Sequence, residues 1–219
     1  MNEPKTIRVT GKGMIRLKPD TTCITMTLEG KSAVYAETLA RSASDTEQIR
    51  CALVETGFAR NDLKTLSFRI EPEYEGYQKD GVYLQRLVGY RFLHQMKIAF
   101  PSDHARLGRI LTALANTALA PEFHISYTVK DREAAKNELI AAAVADAKAK
   151  AAVLTAAAGV RLKGISHIEY SLCEIGLEVR PAAFAGMKRA MLCEDSISAE
   201  IEPEDIEAED TVTIDWEIE

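Results

Sequence analysis

The 219-residue chain lacks the residue patterns that usually mark a metal or redox centre. Its cysteines form no Cys-x-x-Cys pair, which argues against a zinc site and a thioredoxin-type redox site. A disulfide between two of them stays open, although buried free thiols are the expected state. The histidines show neither His-Glu-x-x-His nor His-x₃-His spacing. We therefore predict no metal and no cofactor; the cysteines concerned are Cys23, Cys51, Cys173 and Cys193.

Membrane and catalytic signals are also missing. No stretch approaches the roughly 20 apolar residues that span a bilayer, and the N-terminus lacks the apolar segment of a secretory signal. We therefore expect a cytoplasmic protein without a membrane span, unless a leader has been removed. Gly11-Lys12-Gly13 is too short for a phosphate loop, and no Gly-x-Ser-x-Gly motif supplies a nucleophile. The sequence predicts a protein that is not an enzyme.

Charge is unevenly distributed along the chain. The net charge is −6, yet residues 194–219 contain twelve acidic residues and no basic ones, which leaves +6 on residues 1–193. Either residues 194–219 form a solvated acidic tail, or they dock onto a basic face of the same chain or of another subunit. The overall acidity argues against nucleic acid as the main ligand, because phosphate binding needs a concentrated basic surface.

Hydrophobic periodicity predicts the first half of the fold. Period-two alternation over 7–17 indicates a strand, whose Gly11 and Gly13 suggest a bulge or a close backbone approach. After a second strand, residues 35–53 repeat at steps of three and four and predict a helix. Ser32 is its candidate N-cap, and Gly57 is positioned as its C-cap glycine. A third strand follows and ends in a polar loop at Gly76 and Asp80-Gly81.

The second half alternates in the same way. Strands are predicted around 88–100, 123–129, 168–172 and 212–218, and two helices lie between the first three of them. Asp103 caps the shorter helix, and the alanine-rich one runs over 131–158 to Gly159. The order ββα, ββα, βα, ββ predicts an α+β fold with antiparallel sheet and helices packed on one face. Residues 1–219 are expected to form one domain, with two subdomains as an alternative.

Residues 173–206 follow neither period and are predicted to be a long excursion or flexible segment. Within this segment, Phe184, Met187 and Met191 would lie on one helical face, either packed onto the chain's own core or in contact with another subunit. The candidate oligomer contact consists of Phe184, Met187, Met191 and Leu192.

Two other groups of side chains suggest packing more strongly than function. His94 lies on the apolar parity of its strand, where a hydrogen-bonded, largely buried histidine is the expected state. Four tyrosines cluster around the central hairpin and could form a stacking platform, but cross-strand packing is the more common role for such residues. They are Tyr74, Tyr77, Tyr83 and Tyr90.

Five ordered stretches resemble one family. IRVTGKGMIRLKPD is similar to the opening Ile-x-Val-x-Gly-x-Gly strand of SIMPL-domain, YggE-like bacterial proteins. TGFARNDLKTLSFRIEPEYE, VGYRFLHQMKIAF, AVADAKAKAAVLTAAAGV and IEPEDIEAEDTVTIDWEIE resemble later segments in the same order. The resemblance implies a SIMPL domain of unknown function, large ring-like homo-oligomers, and a loose link to oxidative-stress defence and to periplasmic or surface antigens. It supplies no catalytic residues.

Two functions follow as hypotheses. The first is a non-enzymatic protein that assembles with itself, suggested by the excursion, the opposite charges of body and tail, and open sheet edges. The alternative is a stress-response protein that binds a small molecule in a pocket between sheet and helices, near Tyr90, Phe92 and His94.

Overall fold

The computed structural model describes residues 5–119, 121–170, 175–180 and 203–219. These residues form two units, one drawn from the ranges 1–20, 128–179 and 204–219 and the other from 21–127 and 180–203. Within the described residues, the elements are β1 (Thr6–Leu17), β2 (Thr21–Ser32), α1 (Tyr35–Glu55), β3 (Lys64–Lys79), β4 (Val82–Pro101), α2 (His104–Ala115), β5 (Glu122–Thr128), α3 (Arg132–Ala158), β6 (Leu162–Glu169), β7 (Glu178–Val179) and β8 (Ile206–Ile218). The α+β class and the order ββα, ββα, βα, ββ are confirmed, with the two-residue β7 added.

The first unit is an antiparallel sheet, with strand order β1-β8-β6, that packs against α3. Its core is made of alternate residues of β8 and a stripe of small residues on α3, where Ala143, Ala147 and Ala151 are fully buried. Small side chains let a helix approach a strand closely. Gly159 adopts the left-handed conformation after the last residue of α3, so the predicted end of the helix is confirmed, and the Asp131 side chain caps the first turn.

Gly13 and Gly11 lie where β1 meets α3. A Cβ added at Gly13 would lie 2.2 Å from the carbonyl oxygen of Leu139, so only a residue without a side chain fits. The backbone N–H of Lys12, between the two glycines, donates to a carboxylate oxygen of Asp146 on α3 at 2.7 Å. Of the two roles suggested for these glycines, the structure supports a close backbone approach.

The second unit contains β3, β4, β2 and β5 as neighbours in that order, with α1 and α2 packed together. β4 pairs in antiparallel register with β2 on one side and β3 on the other. The predicted apolar face of β4 is buried from Phe92 to Phe100 and forms the centre of the core. Asp103 accepts a hydrogen bond from the Arg106 backbone N–H, so the predicted cap of α2 is confirmed.

Several local predictions are wrong. Ser32 is the last residue of β2, and α1 begins after Val34 with no side-chain cap. The first turns of α1 bury Thr38 and Ser42, while Tyr35 and Leu39 are exposed. Hydroxyl groups can be buried on this face because they donate to carbonyls of their own helix, as the Ser42 hydroxyl does to the carbonyl oxygen of Leu39. Helix propensity and residue spacing do not reveal such bonds.

The predicted polar loop at residues 76–81 is also wrong. β3 continues to Lys79 and β4 starts at Val82, joined by Asp80-Gly81, both with positive φ. Such a two-residue turn matches the twist of a hairpin. The penultimate long strand is displaced as well, since β6 covers 162–169 rather than 168–172, and it carries two register shifts against β8. A short edge strand with irregular pairing leaves little periodicity to detect.

Candidate functional sites

His94 is buried in the second unit between two threonines. Its Nδ1 lies 2.9 Å from the hydroxyl of Thr46 on α1, and its Nε2 lies 2.9 Å from the hydroxyl of Thr65 on β3. The Thr46 hydroxyl also lies 2.7 Å from the carbonyl oxygen of Ser42 and donates its hydrogen there. Nδ1 must therefore donate to Thr46, and Nε2 of the neutral ring accepts from Thr65. The prediction of a satisfied, buried histidine is confirmed.

Burial, followed by the positive charge of Arg50, lowers the pKa of His94 below its ordinary value of 6.5. Just below pH 6.5, His94 is therefore protonated in the unfolded chain while it stays neutral in the folded chain. We expect the free energy of unfolding to decrease as the pH falls from about 6.5 towards the lower folded pKa. Denaturant titrations at pH 7.5 and 5.5 should show a smaller decrease for His94→Gln than for His124→Gln, which changes an exposed histidine. Equal decreases in both variants would contradict this role.

A polar cleft of about 490 Å³ opens beside Thr65. It is lined by the cationic side chains of Arg50, Arg60 and Lys64, together with Asn61 and Leu63. These residues come from the end of α1, the turn after it and the start of β3. No sequence pattern marks these residues, because a helix, a turn and a strand share no common period; the one local signal is the polar Arg60-Asn61 turn after Gly57.

Glu47 is the carboxylate that contacts this group of cations. It accepts a hydrogen bond from Arg50 at 2.9 Å and another from Arg60. These bonds lower the pKa of Glu47, the Arg60 bond contributing most. Within the part of the chain that the structure describes, no carboxylate is paired with Lys64, so the cleft keeps an excess of positive charge.

The outer parts of β3 and β4 form a two-stranded ribbon, here called the arm (residues 72–90). β2 pairs with β4 only as far as Ser32 opposite Tyr90, so beyond that point the two strands pair only with each other among the described residues. Apolar and aromatic side chains are exposed on both faces of the arm. They are Tyr74, Tyr77, Val82, Tyr83, Leu84, Leu87 and Val88, with exposures from 38% to 75%.

The tyrosines of the predicted cluster separate into two environments. Tyr83 covers Gly76, and Tyr77 lies 5.9 Å from the guanidinium of Arg86, so both make cross-strand contacts within the arm. Tyr90 instead packs edge to face against Tyr35 of α1 at 5.5 Å. The cross-strand interpretation is confirmed for Tyr77 and Tyr83. The signal for the arm itself was the Asp-Gly turn between two alternating stretches.

The described part of the acidic C-terminal segment is a sheet strand. β8 lies between β1 and β6 and pairs its outward carboxylates with basic residues of both strands. Asp215 accepts two hydrogen bonds from Arg8, at 2.8 and 3.0 Å, which lower the pKa of Asp215. The other ion pairs are Lys12–Glu209, Arg16–Glu207 and Lys163–Glu217. For residues 206–218 the solvated-tail interpretation is wrong, and docking onto basic residues of the same chain is correct.

The candidate oligomer contact, Phe184, Met187, Met191 and Leu192, lies outside the described residues, as do Cys173 and Cys193. Of the other cysteines, Cys23 is buried and Cys51 exposed, and both are free thiols. No group of three or more His, Cys, Asp or Glu side chains among the described residues could hold a metal ion. None of the described helices is long and apolar enough to cross a membrane.

Comparison with known proteins gives two findings. The model of the SIMPL family, described as a protein of unknown function (DUF541), matches residues 7–216. The chain is also 26% identical over 168 residues to the 26 kDa periplasmic immunogenic proteins of Brucella melitensis and Brucella abortus. These alignments cover 76% of this chain and 66% of each relative, so the chain spans slightly less than two thirds of the relatives' length.

Two of the five stretches that carry the resemblance, the opening strand and the alanine-rich helix, contain the glycines and alanines that bring β1 and α3 together in the first unit. The periplasmic names of the relatives agree poorly with a cytoplasmic location. Because the family model covers nearly the whole chain, this protein belongs to the SIMPL family.

Proposed function

We propose that this protein is a non-enzymatic assembly protein that associates with further copies of itself through the arm. The observation that carries the proposal is the arm's exposed apolar surface on both faces. A two-stranded hairpin is at best marginally stable alone in water, and contiguous exposed apolar surface commonly marks an interaction site. From its Tyr90–Ser32 pair to Val82, β4 extends roughly 26 Å along the arm, at about 3.3 Å per residue. A partner that covers the arm would remove this surface from water.

The charge pattern of the outer strand favours a second copy as that partner. Among the described residues, β3 is the edge strand of its sheet, and its outer backbone groups face no other strand there. Along the arm, β3 is acidic near Glu73 and Glu75 and basic at Lys79. Antiparallel pairing of two β3 edges about Gly76 would place Lys79 of each copy opposite Glu73 of the other. The same pairing is self-complementary, as a twofold contact requires.

The segment that contains Phe184, Met187, Met191 and Leu192 remains a second proposed contact. Phe184, Met187 and Met191 are spaced for one helical face, which suits an adaptable surface. Two separate contacts on one chain would support a closed ring or a larger assembly, since each copy could then bind two neighbours.

Light scattering after size exclusion tests the assembly, at micromolar concentration and at low and high salt. We expect a mass several times the 24.1 kDa of one chain. Glu73 already has Lys31 of its own chain as an ion-pair partner, and Lys79 of a second copy would add to it. Lys79→Glu would place two carboxylates opposite each other across the contact and should reduce the mass. A monomer at both salt concentrations would rule out self-assembly.

The small-molecule alternative receives less support. Of the residues around which its pocket was predicted, Phe92 and His94 are buried, and Phe92 occupies the space that a side chain at residue 30 would need. The polar cleft beside Thr65 has a different lining. An oxidative-stress role would be an effect of the assembly, and survival of a deletion strain under peroxide would test it.

The relatives' names support a periplasmic location for this chain rather than a cytoplasmic one. Fractionation of cells that express the protein from its natural gene tests the location directly. Recovery with cytoplasmic markers alone would contradict it.

A further inference from the structure

We propose that the cleft lined by Arg50, Arg60 and Lys64 binds a phosphate-type oxyanion, either as inorganic phosphate or as the phosphate group of a small metabolite. This site goes beyond self-assembly and does not depend on it. The cleft belongs to the second unit alone, and it lies at the sheet end of β3, away from the arm.

The donors of the cleft suit an oxyanion. A guanidinium offers five N–H groups, and the structure shows one hydrogen bond from each of Arg50 and Arg60 to Glu47, so further donors remain on both. Lys64, Asn61 and Thr65, each with a side chain that can donate a hydrogen bond, line the same cleft. Arginine with lysine and hydroxyl donors is the combination that recognises phosphate in proteins.

The charge balance points to a dianion. Three cations line the cleft, and the one carboxylate that contacts them in the described chain is Glu47, which leaves two positive charges in excess. Asp62, in the adjacent turn, is used locally, because its carboxylate accepts from the backbone N–H of Ala59 at 2.8 Å. A bound phosphate would neutralise the excess, and a monovalent anion would neutralise half of it.

Thr65 connects the cleft to His94. In the neutral state the Thr65 hydroxyl donates to Nε2 of His94. If an anion accepted that hydrogen instead, Nε2 would gain a proton and donate to Thr65, since the hydroxyl oxygen can accept while it donates elsewhere. Arg50 is the charged group that acts on His94, and Arg60 and Lys64 line the cleft beside Thr65. Glu47 is ion-paired with Arg50 and Arg60. In the sheet, His94 lies opposite Leu28 of β2 and Phe68 of β3, both uncharged.

NMR of the histidine rings tests the site in the full-length protein. His94, assigned through His94→Gln, should change its chemical shift on addition of inorganic phosphate and should protonate at higher pH when phosphate is bound. His104, His124 and His167 are exposed and serve as internal controls. Sulfate should act as phosphate does, and sodium chloride of equal ionic strength should not. A metabolite source would be shown by a sugar phosphate that binds more tightly than inorganic phosphate.

Substitutions distinguish specific binding of phosphate in the cleft from an unspecific attraction to positive charge. Lys64→Gln and Arg60→Gln should each weaken phosphate binding about tenfold or more, because each removes a charged donor. Lys148→Gln removes an equal charge from the exposed surface of α3 in the first unit and should leave the affinity unchanged. Thr65→Val should retain most of the affinity but lose the effect on His94. Shifts that follow ionic strength alone, or equal losses in Lys148→Gln and Lys64→Gln, would overturn the proposal, whether or not the protein assembles.

Discussion

Replacement of Gly11 by alanine is expected to lower the free energy of unfolding by about 3 kcal/mol or more, at the upper end of the usual cost of overpacking. The added Cβ would lie 2.1 Å from the carbonyl oxygen of Ala143 and 2.5 Å from the backbone nitrogen of Ala147. Neither contact can be relieved by rotating a side chain, because both are backbone atoms of α3. The helix must move away from β1, and this movement opens the core around Val9 and Trp216.

Gly164→Ala is the matched control for this measurement. Gly164 lies in β6 of the same sheet, and a Cβ added there meets no atom within 4 Å. We expect that variant to change stability by less than about 0.5 kcal/mol, as surface substitutions usually do. Chemical denaturation followed by the fluorescence of Trp216 reports on this unit. If Gly11→Ala were as stable as Gly164→Ala, the close approach of α3 to β1 would be wrong.

The double variant Leu84→Asp with Leu87→Asp is expected to abolish assembly through the arm. One leucine is at an even and the other at an odd position of β4, so their side chains lie on opposite faces of the ribbon. A partner that covers either face would then have to remove a carboxylate from water. We expect the dissociation constant of the assembly to rise at least a hundredfold, since unpaired buried charges are among the most costly interface changes. Light scattering over a dilution series measures the change.

The control for the arm is Val153→Asp with Leu154→Asp. These two residues are 69% and 49% exposed on α3, and they lie outside the arm in sequence and in unit. The control adds the same charge and should leave the mass unchanged. Circular dichroism should show a folded chain for both variants, because Leu84 and Leu87 lie outside the core cluster of their unit. If the arm variant still formed a full-sized assembly, the contact would have to lie outside the arm, and residues 173–206 would be the remaining proposed surface.

The amino-acid sequence alone determined those helices and strands that are defined by residues close to one another in the chain. The alanine-rich segment encodes α3 with its Asp131 cap and its Gly159 end, because capping and helix propensity act within a few residues. Alternation likewise encodes β1, β2, the buried half of β4 and β8, and with them the α+β class and the element order. The family resemblance also follows from the sequence alone.

Tertiary structure decided the features that depend on distant partners. Whether the acidic C-terminal segment was a solvated tail or a docked strand depended on pairing with β1, about 200 residues away. The cleft beside Thr65 joins residues of a helix, a turn and a strand, which share no sequence period. Exposure of the arm depended on where β2 stops, since an alternating strand has the same pattern whether a neighbour covers it or not. Periodicity reports which residues share a face, and only the folded chain shows what lies against that face.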